Sequence, residues 1–309
     1  MCLGDLADLC HPAIPLPWMY RLARWHGRLV CSIDRRTRRI VRDNLRSMPG
    51  LPSSERELAR LTREFFETKQ LRVLLKYLFP RLAPSVAERL WPIEGLDQLD
   101  RALEQNKGAL LLLSHVNSIM GFVAKDMLIE KGYDIRVAFP VERRPFQPTR
   151  VRRLVDRIRG QPAPRPSRDF YAQFNIRPIV RALADGAVVA LTGDGWHSAG
   201  LTRVRFLGRD VYFTTGAAGI SRAVGCPIVP LFVAGTAPDR MRVVIEEPLL
   251  PDKSGDTDRD LHRMVSRYVE CLERHVRESP LAWEHWLEPK ALDSMATMLD
   301  RTLRDRYRM

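Results

Sequence analysis

Lys107-Gly108-Ala109-Leu110-Leu111-Leu112-Leu113-Ser114-His115-Val116-Asn117-Ser118 is the stretch whose reading decides the fold. Five consecutive apolar residues, entered from a Lys-Gly turn and left through polar residues, suit a strand buried on both faces in a parallel sheet. A helical pattern runs from Ser118 to about Lys131, and a second strand is expected over Asp134 to Phe139. Strand, helix, strand is the unit that builds a sheet with helices on its faces.

The same alternation continues toward the C-terminus. Asp185-Gly186 opens another apolar run, Ala187 to Leu191, and Arg203 to Phe206 alternates like a short strand. Gly216 to Val224 reads as helix. Ile228 to Val233 and Met241 to Ile245 read as strands, and a helix from Thr257 to about Arg277 closes the core. In between, a basic helix is expected over Arg150 to Arg159, a Pro-rich loop over Gln161 to Ser167, and a helix over Phe170 to Ala184. Toward the N-terminus, Ser54-x-x-Glu57 forms a capping box. It opens a helix with apolar positions at Leu58, Leu61, Phe65, Leu71, Leu74, Leu75 and Leu78, which Pro80 and Pro84 end.

The predicted class is α/β: a mixed, mostly parallel sheet flanked by helices, with a helical N-terminal extension. Residues 1–90 are expected as the helical region packing on the core, 91–290 as the α/β core and 291–309 as a helical tail. No internal repeat is present.

The chain has 309 residues, 45% hydrophobic and 28% charged, a globular balance that argues against wholesale disorder. Its net charge is +13, and 43 of its 50 basic residues are Arg. Such an excess fits nucleic acid, an anionic membrane or an acidic protein partner, or simply Arg-rich codon usage. Nucleic acid is set aside, because the Arg pattern is scattered and no recognition module accompanies it. Nine Arg between Arg21 and Arg46 are mixed with Leu22, Trp25, Leu29, Val30, Ile33, Ile40 and Val41. Helical spacing gathers much of that apolar set on one face, either for a surface-lying amphipathic segment or for packing on the core.

Five Cys (Cys2, Cys10, Cys31, Cys226, Cys271) in no regular spacing point to a reducing compartment without a disulfide framework or zinc knuckle. No apolar run reaches the roughly 18 residues of a membrane span, and Met1 to Pro17 lacks the pattern of a signal peptide. The expected location is cytoplasmic, with peripheral attachment to the inner face of the cell membrane as an option.

In α/β sheets the site lies beyond the carboxyl ends of the strands. There stand Ser114-His115-Val116-Asn117-Ser118 after one apolar run and Thr192-Gly193-Asp194-Gly195-Trp196-His197 after another. His115, at the entry to a helix, is suited to take a proton from an attacking hydroxyl or amine. Asp194, between two glycines, reads as orienter of His115, contact to an acceptor, or cap of its own turn. His197 is a weaker substitute acid or base. Arg203 and Arg205 share one strand face, either to meet a phosphate or to sit in solvent. Arg143, Arg144, Arg150, Arg152 and Arg153 form a second basic cluster. No Walker A, G-x-S-x-G, HExxH or zinc-spaced cluster appears, so no cofactor or metal is expected.

These blocks together resemble the lipid A biosynthesis acyltransferase family, within the lysophospholipid acyltransferase superfamily. The likeness rests on Asn44-Leu45, on Leu110 to His115, on Leu183 to Asp194, and on Phe206-Leu207-Gly208 with Thr214-Thr215-Gly216. Pro227 to Phe232 and the Pro280 to Trp286 ending complete it. The resemblance implies acyl transfer from an acyl-carrier-protein or coenzyme A thioester to a hydroxyl or amine, with His115 as base. It also implies Asn117, Ser118, Arg203 and Arg205 at the substrate, and an acidic carrier docking on Arg144, Arg150 and Arg153. In that family the His sits in an H-x-x-x-x-D/E motif; here the fifth residue after His115 is Met120, which orients nothing. His115 is then oriented by another group (Asp194, Asn117 or a backbone carbonyl), or the reactants need less help, or the chain is an inactive lipid- or carrier-binding relative. Aminoacyl or specialised-metabolite amide formation is a further alternative.

Overall fold

The computed structural model describes residues 16–51, 54–78, 84–139, 169–171, 175–195, 200–235, 237 and 241–297. The expected basic helix 150–159, the Pro-rich loop 161–167, His197 and the carrier-docking residues Arg144, Arg150 and Arg153 lie outside them.

Three helices lead into the sheet: α1 (Leu16–Ile33), α2 (Arg35–Ser47) and α3 (Glu55–Leu78). Asp34 caps α2, its carboxylate accepting from the Thr37 backbone N–H at 2.9 Å. The capping box forms as its sequence predicts. Ser54 Oγ donates to the Glu57 carboxylate at 2.7 Å and accepts from the Glu57 backbone N–H at 3.3 Å. Along α3 the expected apolar positions Leu58, Leu61, Phe65, Leu71, Leu74 and Leu75 are buried.

The chain continues as α4 (Pro84–Leu90), β1 (Ile93–Glu94), α5 (Leu96–Leu103), β2 (Ala109–Leu113), α6 (Ser118–Glu130), β3 (Ile135–Phe139) and β4 (Phe170–Tyr171). Then follow α7 (Arg177–Ala184), β5 (Val188–Thr192), a hairpin of β6 (Leu201–Phe206) and β7 (Arg209–Thr214), and α8 (Gly216–Val224). β8 (Ile228–Ala234), β9 (Arg242–Ile245) and α9 (Thr257–Glu278) come next. Two 3-10 turns, Pro280–Ala282 and Glu284–Leu287, and α10 (Ala291–Ala296) end the described chain.

The main sheet has the order β1-β9-β8-β2-β5-β3-β4. Every pairing in it is parallel except β8 with β9, so the architecture is the mixed α/β sheet expected. Side chains alternate between its faces. Leu110 and Leu112 of β2 join a cluster with α9 (Met264, Tyr268, Leu272), the hairpin (Phe206, Phe213) and α2 and α3 (Leu45, Phe65). Ala109, Leu111 and Leu113 join a second cluster with α5 and α6 (Leu99, Val123, Met127, Leu128). Covered on both faces, β2 has no solvent side to mark with polar residues, which is why it reads as an unbroken apolar run. Ala291, Leu292 and Met295 of α10 are buried in the first cluster.

Two expectations need correction. Phe170 to Ala184 is not one helix: Phe170 and Tyr171 pair with Ala138 and Phe139 as an edge strand, and helix begins only at Arg177. Pro178 is the physical reason, since proline fits a first helical turn but breaks a helix interior. The second correction is β7, which the sequence reading left out. It is joined to β6 through Leu207-Gly208, both at positive φ (48° and 77°), the geometry of a tight hairpin turn. Leucine rarely takes that conformation, so the turn carries no ordinary sequence signal.

Candidate active site

β2 and β5 are neighbours and parallel, with Leu113 opposite Thr192. The residues two positions beyond each strand are His115 and Asp194. Register alone therefore brings an imidazole and a carboxylate from 79 residues apart to one point. His115 Nδ1 lies 2.9 Å from Asp194 Oδ1, and the His115 backbone N–H donates to both carboxylate oxygens at 3.0 Å. Trp283 Nε1–H donates to Oδ2 at 3.1 Å. His285 Nε2 is 2.8 Å from the Asp194 carbonyl oxygen, which fixes that nitrogen as a donor.

Asp194 is buried, whereas the His115 side chain is 32% exposed. The described residues offer His115 Nε2 no hydrogen-bond partner. With Nδ1–H held by the carboxylate, Nε2 is left to carry the lone pair. That is the tautomer a general base needs.

The electrostatics agree with the geometry. Burial pushes the Asp194 carboxyl up, but the charge and hydrogen bond of His115, helped by His285, hold it well below the usual carboxylate range. Burial lowers His115, yet the Asp194 charge and hydrogen bond outweigh it, leaving the imidazole above its ordinary value. For His285 burial wins over the attraction of Asp194, and its value falls to about 4. At neutral pH His285 is neutral, so Asp194 has one cationic partner to stabilise, not two.

The glycine before Asp194 is needed for space. A Cβ on Gly193 would run into the Tyr268 ring and Leu112. Tyr268 Oη donates to the Leu113 carbonyl at 3.3 Å, and Gly193 N–H donates to the same carbonyl at 2.8 Å. Gly195 meets nothing closer than 3.8 Å. Neither glycine has a positive φ, so close packing at Gly193, not turn geometry, is what demands glycine.

The 3-10 segment after α9 pins the loop beyond β2. Asn117 N–H donates to Ala282 O at 2.8 Å and Glu284 N–H to His115 O at 2.9 Å, flanking a bridge between Val116 and Trp283. Asn117 takes a left-handed conformation (φ 51°) and is fully buried. Its Nδ2 donates to Val233 O at 2.7 Å and Gly235 O at 2.9 Å, tying the turn to the end of β8. Ser118 Oγ donates to Glu284 Oε2 at 2.6 Å. Behind that carboxylate lies the fully buried Arg72 of α3, its Nε 3.7 Å from Glu284 Oε1; desolvation lowers its guanidinium and Glu284 partly restores it.

The other expected residues fall elsewhere. Met120 is buried in the second apolar cluster with Leu111, Val123 and Ala124, one side of α6 away from any role on the imidazole. Arg203 and Arg205 extend from β6 into solvent, 62% and 69% exposed, and both face Asp210 of β7. Among the described residues nothing joins them to His115. Trp283, Glu284 and His285 were not singled out from sequence. A polar pair between two Trp just after a long helix was the available signal, but only the fold shows that this segment returns across β2.

His115, Asp194 and His285 offer ligand atoms within 4.8 Å of one another. A metal there would displace Asp194 from three N–H donors and His285 from its carbonyl, so the donor set is already engaged within the protein.

A family model described as bacterial lipid A biosynthesis acyltransferase matches residues 9–292. No curated protein gives a significant sequence match. The matched span takes in β2, β5 and the 3-10 segment that build the His115 site, and the chain belongs to the bacterial lipid A biosynthesis acyltransferase family.

Proposed function

We propose that this acyltransferase moves an acyl group from a carrier-protein or coenzyme A thioester to a hydroxyl or amine, with His115 as general base and Asp194 as its orienter. The observation that carries this is the 2.9 Å bond between His115 Nδ1 and a buried carboxylate, with Nε2 unpartnered among the described residues. As the acceptor oxygen or nitrogen attacks the thioester carbonyl carbon, its proton passes to Nε2. The tetrahedral oxyanion then collapses, the C–S bond breaks, and the imidazolium returns the proton to the leaving thiolate sulfur. Asp194 stays ionised throughout and stabilises the imidazolium between the two transfers. α6 begins three residues after His115, and the positive end of its dipole favours the developing oxyanion.

On this reading the carboxylate that the family motif supplies from within α6 comes instead from the loop after β5. Met120 is then compatible with catalysis. Arg203 and Arg205, exposed and sharing Asp210 as their partner, are the proposed contact for a phosphate of donor or acceptor, and Arg144, Arg150 and Arg153 remain the proposed contact for an acidic carrier.

The test incubates the purified protein with acyl-loaded carrier protein or acyl-coenzyme A and candidate acceptors, comparing wild type with His115→Ala. A loss of about 10²-fold or more is expected, the scale of general-base catalysis. Turnover indifferent to His115→Ala would sink the assignment.

A further inference from the structure

Arg72 of α3 is the one lysine or arginine buried among the described residues. None of its three guanidinium nitrogens has a hydrogen-bond partner. A cation taken out of water without hydrogen bonds is costly, and a buried group left in that state calls for a reason. The one carboxylate within ion-pair reach among the described residues is Glu284, its Oε1 3.7 Å from Arg72 Nε. That oxygen is itself buried and accepts no hydrogen bond. The two groups therefore meet as charge against charge. Apolar side chains of similar volume would hold α3 in place at least as well, so stability alone does not account for the pair.

Glu284 carries the pair into the site. Its other oxygen accepts from Ser118 Oγ at 2.6 Å, and its backbone N–H donates to the His115 carbonyl at 2.9 Å. A carboxylate can only accept, so the Ser118 hydroxyl is committed as the donor. Its neighbours in the chain serve the other partner: Trp283 donates to the Asp194 carboxylate and His285 to the Asp194 carbonyl. Three consecutive residues thus hold both halves of the pair His115 and Asp194, and Glu284 is the one on the His115 side.

The charge of Glu284 is also felt at the imidazole. Burial opposes protonation of His115, Asp194 favours it most, and Glu284 comes next, ahead of Glu288. The titratable groups around the ring are Asp194, His285, Glu284 and Glu288. Tyr268 of α9 stands next to Asp194, and Lys69 and Arg72 of α3 stand next to Glu284.

We propose that Glu284 and Arg72 are positioning residues for the acyl transfer. The Arg72 guanidinium keeps a carboxylate charge at the entry to α6, and Glu284 uses that charge to fix Ser118 and to stabilise the imidazolium formed on His115. This rests on His115 being the general base.

The test uses the full chain and two readouts. One is the titration of His115 followed by NMR, its signal assigned by its loss in His115→Ala. The other is thiol release from the acyl thioester on which the wild type turns over. Glu284→Gln keeps the size of the side chain and an oxygen for Ser118 but removes the charge. It moves the His115 titration to lower pH and lowers kcat about tenfold, for a charged hydrogen bond made neutral and a weaker hold on the imidazolium. It also lowers the melting temperature, since Arg72 is left as an unpaired buried cation. Glu284→Gln with Arg72→Met removes both charges, so stability returns while kcat and the titration stay below those of the wild type. Wild-type kcat with an unmoved titration in the double variant overturns the proposal, because the pair then serves the fold alone. So does a Glu284→Gln variant that folds and behaves as wild type. Turnover kept by His115→Ala overturns the general-base reading and this inference with it. Turnover lost in His115→Ala, beside wild-type behaviour of the double variant, overturns this inference alone.

Discussion

Asp194→Asn separates the charge of the carboxylate from its shape. In the wild type both oxygens are engaged: Oδ1 with His115 Nδ1 and both with the His115 amide, Oδ2 also with the Trp283 indole N–H. An amide has one acceptor and one donor where four N–H contacts now converge. If its oxygen keeps Trp283, its NH₂ faces Nδ1 and forces that nitrogen to accept. The imidazole proton then moves to Nε2, the atom proposed to act as base. If its oxygen keeps Nδ1–H, the NH₂ opposes the buried indole N–H instead. Leaving such a group unpaired costs about 1–3 kcal/mol of stability. The wrong tautomer is the larger functional effect: the same change in the serine-protease triad lowers kcat by about 10⁴, so a fall of about 10² to 10⁴ is expected here. The variant also changes the pH profile. Asp194 raises His115 above its ordinary value, so in wild type kcat/KM falls as pH drops through that raised value. With the carboxylate gone, burial lowers the imidazole against only the weaker attraction of Glu284 and Glu288, and the acid limb moves to lower pH. The assay is release of free thiol from the acyl thioester in the presence of acceptor, run across pH, with a thermal melt beside it. A variant within about threefold of wild type, with an unmoved acid limb, would refute the orienting role.

Gly193→Ala sets a methyl group against the Tyr268 ring and Leu112; a loss of about 1–3 kcal/mol is expected from overpacking, read by chemical denaturation. Met120→Glu restores the family's motif on paper but places a carboxylate in the core among Leu111, Val123 and Ala124. It should lower the melting temperature, by the scale of about 2 kcal/mol or more for an unpaired buried polar group, and bring no gain in turnover. His285→Phe keeps the ring packing against His115 and Trp283 but removes the donor to the Asp194 carbonyl. A fall of about fivefold in kcat is expected, for about 1 kcal/mol of lost hydrogen bonding, and unchanged kcat would show that this hydrogen bond does not support catalysis.

Much of the fold was legible because local rules and tertiary packing agree. β2, α8 and the Ser54 cap stand where apolar runs and capping chemistry put them. Where the fold departs, the signal was weak or absent. Leu207 turns a hairpin in a conformation leucine seldom takes, and Pro178 starts a helix inside a stretch that reads as continuous. His115 was visible as a polar residue leaving a buried strand. The part played by Trp283 and His285 was not, since contact across 89 and 91 residues depends on how the chain returns over the sheet.

By itself the sequence determined the α/β class, the buried strand and the histidine at its exit, because periodicity and polarity are local properties. It left three candidates for the group that faces His115 in place of a carboxylate at position 120. Only the tertiary structure chose among them. Parallel pairing of β2 with β5, Leu113 against Thr192, is a relation between distant segments. A shift of one residue in that register would turn Asp194 to the other side of the sheet and leave His115 without it.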